Sequence, residues 1–323
     1  MTMKNIIKTA VLAGVVFGTC ACTDKYEEYN KNPYDANHTQ VEYDGYNVGA
    51  SIKAMEGYII PVETNLNQFT ECLLGGSFGG YLADSNKGFV GKNFATYNPQ
   101  EHWIQVAFND IIPNTYSSYL QLKELTDDPV IISVADIVRI AAMHRVSDMY
   151  GPIPYTKIGE DAKLTAPYDD VKTVYHTMIG ELDTAIAALT ENRTANFSAD
   201  IDNVFAGNVE EWVKYANSLK LRLAMRLAYC EPDYAKTKAE EVMAHEIGPM
   251  TSNSDNAYNI VSKSPFRVVM YDYNGGDSRV SADLTSYMQG YNDPRCPKYF
   301  TKTTFEIDGF EEGYYGLRTG IDF

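Results

Sequence analysis

The sequence predicts a mainly α-helical protein in which helix pairs support a loop-rich face, and three observations point there. Apolar residues recur at helical spacing from Pro99 to Glu246. Glycines and aromatic residues crowd one stretch, Gly75 to Asn98. Beyond Gly248 the composition turns to Asn, Ser, Gly, Asp and Tyr, the residues of turns and loops.

The chain opens with residues 1–21, which read as an export signal. Lys4 and Lys8 form a positive start, and Ile6 to Phe17 form an apolar run shorter than the ~20 residues needed to span a bilayer. An ordinary signal ends in an A-x-A-like pattern; here Ala21 and Cys22 stand in its place, which predicts a lipoprotein signal with Cys22 as the acylated N-terminus. Its acyl chains would hold the protein on a membrane without a spanning helix. Cys20, after Phe17, Gly18 and Thr19, lacks a small-residue site. Residues 22–38, charged, rich in Tyr and Asn and without period, are expected to form the lipidated tether, and residues 39–323 the folded domain.

Within that domain, Thr39 to Tyr58 is weakly helical in pattern. Gly75 to Asn98, "GGSFGGYLADSNKGFVGKNFATYN", carries six glycines. Such a density argues against a stable helix and predicts a long surface loop, of a kind uncommon unless it has a function. Pro99 to Glu124 reads as a helix with a kink site at Pro113. Val134, Ile137, Val138, Ala141, Ala142 and Met149 share one helix face, ended by Tyr150-Gly151-Pro152 with the glycine suited to a left-handed cap. Val171, Val174, Tyr175, Met178, Ile179, Leu182, Ile186 and Leu189 form another stripe, with gaps of one, three or four residues.

Asn208 is placed to cap the next helix, with Glu211 reaching back to close a capping box. That helix is apolar nearly all round after Leu219, which predicts burial among other helices, with Trp212 and Tyr215 in the core. Asp233 to His245 is its partner. In size these pairs resemble tetratricopeptide units, although the repeat consensus is absent. Ala282 to Gln289 predicts a short helix, and Phe266 to Tyr271 and Thr303 to Ile307 predict short strands. Arg222 and Arg226 are suited to pairing with acids or capping carbonyls, and Asp293-Pro294-Arg295 to a turn.

The composition excludes some function classes. The net charge of −16, more negative once Lys4 and Lys8 are removed, disfavours binding to nucleic-acid phosphates. Cys72, Cys230 and Cys296 are distant and odd in number, so they build no disulfide framework or metal motif; they are expected to be buried fillers, with one pair free to bridge. His38, His102, His144, His176 and His245 are isolated, and no HExxH, GxSxG or P-loop motif occurs. No catalytic residue, metal or cofactor is therefore expected.

Binding needs less than catalysis. Exposed rings bordered by Asn, Asp and Arg suit a polar ligand that has both flat apolar faces and hydrogen-bonding groups. Two stretches have that composition. The glycine-rich one offers Tyr81, Asp84, Asn86, Phe89, Phe94 and Tyr97; "YDYNGGDSR" offers Tyr271, Asp272, Tyr273, Asn274 and Arg279. The competing role for each aromatic is to anchor its loop on the helical layer.

Five blocks carry a resemblance: "CTDKYEEYNKNP", "HRVSDMYGPIPYTK", "YDDVKTVYHTMIGELDTAIAAL", "NVEEWVKYANSLKLRLAMR" and "NDPR". In this order they resemble the SusD/RagB family of outer-membrane nutrient-binding lipoproteins, and within it the SusD-like branch with its W-x-K-Y/F-A-N-S-L-K-L-R-L helix. The resemblance implies a mainly α fold, with tetratricopeptide-like helix pairs supporting a loop-rich ligand face drawn from the two general regions above. It matches no individual binding residue.

It also implies a lipid-anchored protein of the outer membrane, facing the cell exterior, that captures oligosaccharides and passes them to a SusC-like TonB-dependent transporter. RagB-like peptide capture, or service as a structural lid on the transporter, are the alternatives it leaves. Tyr26, Glu27 and Glu28 fit the acidic stretch associated with surface export. The family has a long part after the "DPR" turn, whereas 28 residues follow Arg295 here, so the domain is expected to lack its usual C-terminal part.

Overall fold

The computed structural model describes residues 46–160, 165–303, 309 and 311–321. The chain divides into Met1–Tyr46 and Asn47–Phe323, and the fold is that of the second unit. Cys22, the signal and the tether lie outside the described residues, as does the Thr303 to Ile307 strand beyond its first residue.

Local capping and apolar stripes set the helices. The first, α1 (Tyr46–Ile59), buries Gly49, Ile52, Met55 and Glu56. The long helices follow: α2 (Glu101–Leu125), α3 (Pro129–Tyr150), α4 (Val171–Glu191), α5 (Val209–Arg226) and α6 (Pro232–Ala244). From α2 to α6 each packs against the next, matching the expected helical layer. Asp128 starts α3 by accepting from the Val130 amide at 2.8 Å, and Pro129 takes a first-turn position that needs no amide donor. Asp170 caps α4 through the Thr173 amide. Asn208 caps α5 through the Glu211 amide at 3.3 Å, as its position predicts. The Glu211 carboxylate, however, pairs with Lys214 at 2.8 Å instead of reaching back.

Helix α3 lies at the centre, with Val134, Ile137, Val138, Ile140, Ala141, Ala142 and Met143 all fully buried. Each large aliphatic side chain so buried contributes about 1.5–3 kcal/mol. The α4 stripe is buried from Val174 to Leu189, while Val171 in the first turn stays exposed. Trp212 is fully buried and Tyr215 packs against the same core.

One charge enters this layer. Arg139 of α3 meets Asp136 at 2.9 Å and Glu181 of α4 at 3.0 Å, and lies over the rings of Tyr119 and Tyr155 at 4.5 and 5.0 Å. A desolvated guanidinium requires this density of acceptors and π-faces. Arg226 pairs with Asp148 at 2.9 Å and donates to the Tyr175 hydroxyl at 2.9 Å. Arg222 instead contacts His144 at 3.4 Å.

Several expectations are corrected. The glycine-rich stretch is not one irregular loop: a helical run from Thr64–Asn67 passes through a π-helical segment, Gln68–Gly75, and ends in the turn Gly76–Phe78. Tertiary packing overrides the glycine cost, because buried Cys72 and Leu73 anchor the run and Gly76 admits Leu82; a Cβ there would lie 2.9 Å from Leu82 Cβ. The stretch then holds β1 (Leu82–Asp84) and the turn Lys87–Phe89, capped by Asn86.

Phe266 to Tyr271 is helical, not a strand. Pro265 opens a turn, Pro265–Arg267, that continues as the π-helical Val268–Asp272 and buries Val269. The strand lies further on, β2 (Ser278–Val280), followed by α7 (Ala282–Gly290). Gly151 ends α3 at φ 78°, ψ −118°, a conformation open to glycine but not the left-handed helical cap. Cys72 and Cys296 are buried, but Cys230 is exposed after α5; all three are free thiols.

Candidate functional site

A short ribbon brings the two loop stretches together. Strands β1 and β2 pair antiparallel, Leu82 facing Val280 and Asp84 facing Ser278. At the Asp84 end, the Ser85 amide donates to the Asp277 carbonyl at 3.0 Å and the Ser85 hydroxyl to the Gly276 carbonyl at 3.0 Å. The Asn86 amide nitrogen donates to Asp277 Oδ1 at 2.8 Å and to the Asn274 carbonyl at 3.2 Å. From the π-helical segment, Gln68 donates to Asp277 Oδ2 at 2.5 Å. Burial pushes the Asp277 carboxyl up, and the hydrogen bonds from Asn86 and Asn274 pull it back toward the charged form.

Around this junction opens a cleft of about 400 Å³. Its apolar side is Phe69, Phe89 and Trp103, with Phe69 stacked on Trp103 at 5.6 Å and Phe89 edge-on to it at 5.3 Å. Its polar side is Asn65, Asn86 and Asn274, with the Tyr273 ring at the mouth, 42% exposed. Asp277 lines it too, but its oxygens are already committed to Gln68 and Asn86. The arrangement offers ring faces and neutral amides, which suits an uncharged ligand with both apolar faces and hydroxyls.

Of the residues singled out from sequence, Asn86, Phe89, Tyr273 and Asn274 come together here. Asp84 does not: it is 6% exposed inside β1, its carboxyl is pushed up to about 6 by burial, and the nearby Ser77 hydroxyl offsets part of that shift. Phe94 is buried in a small satellite core with Leu73, Phe89 and Trp103. Tyr97 is 83% exposed at φ 56°, stacked on Phe78 at 5.4 Å. Tyr81 lines a separate open cleft with Tyr287, Tyr299 and Arg295. Tyr271 is exposed between the guanidinium groups of Arg267 and Arg279. Asp272 pairs with Lys263 at 2.9 Å. Arg279 clamps its own loop, donating to the carbonyls of Met270, Ser278 and Gly275.

Sequence reasoning missed Asn65, Gln68, Phe69 and Trp103. Trp103 had a usable signal, a large aromatic in the first turn of the helix that follows the glycine-rich stretch. Asn65, Gln68 and Phe69 had none, since a π-helical segment, a frequent companion of functional sites, leaves no spacing pattern. Among the described residues no group of three or more His, Cys, Asp or Glu is placed to hold a metal ion, and no helix is long and apolar enough to cross a membrane.

Fold and cleft together define a mainly helical scaffold that carries an aromatic and amide-lined cleft on its loop face. The chain belongs to the SusD-like family, described as SusD and RagB outer membrane lipoproteins, which matches residues 28–323. It is similar to the crystal structure of a SusD homologue from Bacteroides ovatus, with 40% identity and a TM-score of 0.79 over 86% of this chain and 57% of that one. A SusD homologue from Bacteroides uniformis gives 42% identity and a TM-score of 0.79 over 86% and 58%. A chitin-binding SusD homologue from Flavobacterium johnsoniae gives 31% and 0.74 over 85% and 57%. No curated protein matches the chain significantly. The mainly α fold expected from the sequence is thus the family's fold, and the chain spans less than two thirds of the length of these structures.

Proposed function

We propose that this protein captures neutral oligosaccharides at the cell surface and hands them, chemically unchanged, to a SusC-like TonB-dependent transporter. The observation that carries this reading is the cleft at the Gln68–Asp277–Asn86 junction, where Trp103, Phe89 and Tyr273 face Asn65, Asn86 and Asn274. Rings stack on the C–H faces of a sugar and amides exchange hydrogen bonds with its hydroxyls, while no free charge in the cleft demands a counter-ion. Membership of the family and the chitin-binding homologue support the ligand class. In this reading Cys22 carries the lipid, the acidic stretch after it accompanies export, and the cleft faces the medium.

Calorimetry of the form lacking residues 1–21, against neutral glycans including chitin oligosaccharides and against peptides, tests the proposal. Heat with a glycan and none with peptides is expected. Binding of peptides alone would replace it with peptide capture. No binding, together with co-purification of a barrel, would leave a structural lid, and released products would make it an enzyme. Mass spectrometry of the N-terminus from the membrane fraction tests acylation of Cys22.

A further inference from the structure

The buried stripe of α1 contains an acid. Glu56 is 1% exposed, on the same face as Gly49 and Ile52, and faces the connector between α4 and α5. The Asn203 amide donates to Glu56 Oε2 at 3.2 Å, whereas buried Oε1 meets no donor. The neighbouring residue in that connector, Asp202, is 3% exposed and accepts four N–H groups. Val204 and Phe205 amides reach Oδ1 at 2.8 and 3.1 Å; the Gly207 amide and Trp212 Nε1 reach Oδ2, both at 2.8 Å. With four N–H donors on its two oxygens, Asp202 serves this site as an acceptor only. Glu56, seated on the amide next to Asp202, interacts with that acid, and two buried carboxyl groups so placed do not both ionise. The proton therefore belongs to Glu56, and Oε1 is the oxygen left to carry it.

We infer that Glu56 and Asp202 hold one proton between them, donated from Glu56 Oε1, and that this proton latches α1 onto the α4–α5 connector. Other groups agree with the assignment. Burial first, and then the charge of Asp202, push the Glu56 carboxyl up to about 8, with Lys53 on α1 opposing only in part. From α5, Tyr215 is held neutral by burial, up at about 12, and Trp212 presents only its N–H. Ile59, Ile60 and Val204 line a small cleft against Glu56 and Trp212, and Asn259 adds an uncharged amide. Such apolar surroundings make a second negative charge costly. Gly49 brings the same helix onto the same connector: a Cβ there would stand 2.7 Å from Ile201 Cβ. Ionisation of Glu56 sets two anions against each other at this contact and loosens it.

The sign follows from the raised acid. Relative to the unfolded chain, where a glutamate ionises near 4.5, the latch contributes fully below that pH, weakens as pH rises to about 8, and is lost above it. Trp212 reports on it directly, because its indole N–H lies on Asp202 and the protein has two tryptophans. With Trp103→Phe as the background, Trp212 emission is titrated from about pH 5 to about pH 10. A transition with midpoint near 8 is expected. Glu56→Gln, whose amide donates to Asp202 at every pH, is expected to abolish it and to flatten the dependence of melting temperature on pH. A transition that survives Glu56→Gln overturns the proposal, as does the absence of any transition in the parent. Should that variant fail to fold, infrared spectroscopy of the unaltered protein decides: a protonated-carboxyl band at neutral pH that vanishes in alkali supports the latch, and no such band overturns it.

Discussion

The Gln68 side-chain amide donates to Asp277 at 2.5 Å across 209 positions of sequence, and Asn86 donates to the other oxygen of the same carboxylate at 2.8 Å. One buried acid thus fastens a π-helical segment, a loop turn and the approach to β2 to each other. The cleft exists because these three pieces are held in register.

Asp277→Ala is expected to take this acceptor from the Gln68 amide and to leave the Asn86 amide only the Asn274 carbonyl, at a cost on the order of 1–3 kcal/mol for each N–H that water does not reach. Asp277→Asn keeps one acceptor oxygen and should fall between that variant and the parent. Urea denaturation gives the order; a parent-like midpoint for Asp277→Ala would show that the junction does not depend on this carboxylate.

Two cleft aromatics are expected to behave differently. Tyr273 is half-exposed at the mouth, so Tyr273→Ala should change stability by no more than about 0.5 kcal/mol while weakening glycan binding roughly tenfold, the loss of one stacking contact. Trp103 is buried against Phe69 and Phe89, so Trp103→Ala should weaken binding and also cost about 3–5 kcal/mol of stability. Calorimetric titration and thermal melts of both variants make the comparison.

Asp84 is an acid raised by burial, from 3.8 to about 6, with only the nearby Ser77 hydroxyl to offset part of the shift. Its contribution is present below pH 3.8, lost as pH rises through about 6, and absent beyond. Asp84→Asn removes the charge and keeps the shape. Above pH 6 that variant should be more stable than the parent by about 2–3 kcal/mol, with the gap closing in acid. Melting curves at about pH 4 and about pH 7 test the sign; a variant less stable at neutral pH would contradict it.

Cys230 is exposed, whereas Cys72 is buried with its thiol pushed up to about 12 by burial, and Cys296 is buried. In the form lacking residues 1–21 and without acylation of Cys22, a thiol reagent should label Cys230 at once and Cys72 and Cys296 only on unfolding. Peptide mapping after brief labelling gives the sites.

The helices were legible for a local reason. The stripe from Val174 to Leu189, the cap Asn208 and the stop at Gly151 each depend on residues within a few positions, so spacing reveals them; the caps Asp128 and Asp170 are equally local and came to light only in the structure. The misread elements depended on distant partners. Gly76 is helical with Leu82 packed close over it, and Phe266 to Tyr271 coils because Pro265 starts a turn and Val269 is buried.

By itself, then, the sequence determined the helical layer, its order and the family to which it belongs, since periodicity, capping and motif order are properties of neighbouring residues. Only the tertiary structure decided which polar and aromatic side chains in the loops share a cleft. Phe94 carries the same chemistry as Phe89, yet only Phe89 borders the cleft, and Asp84 is enclosed while Asn86, two positions on, lines it. That difference arises from pairing between strands nearly two hundred residues apart and from the direction each side chain takes once paired, and no local pattern encodes it.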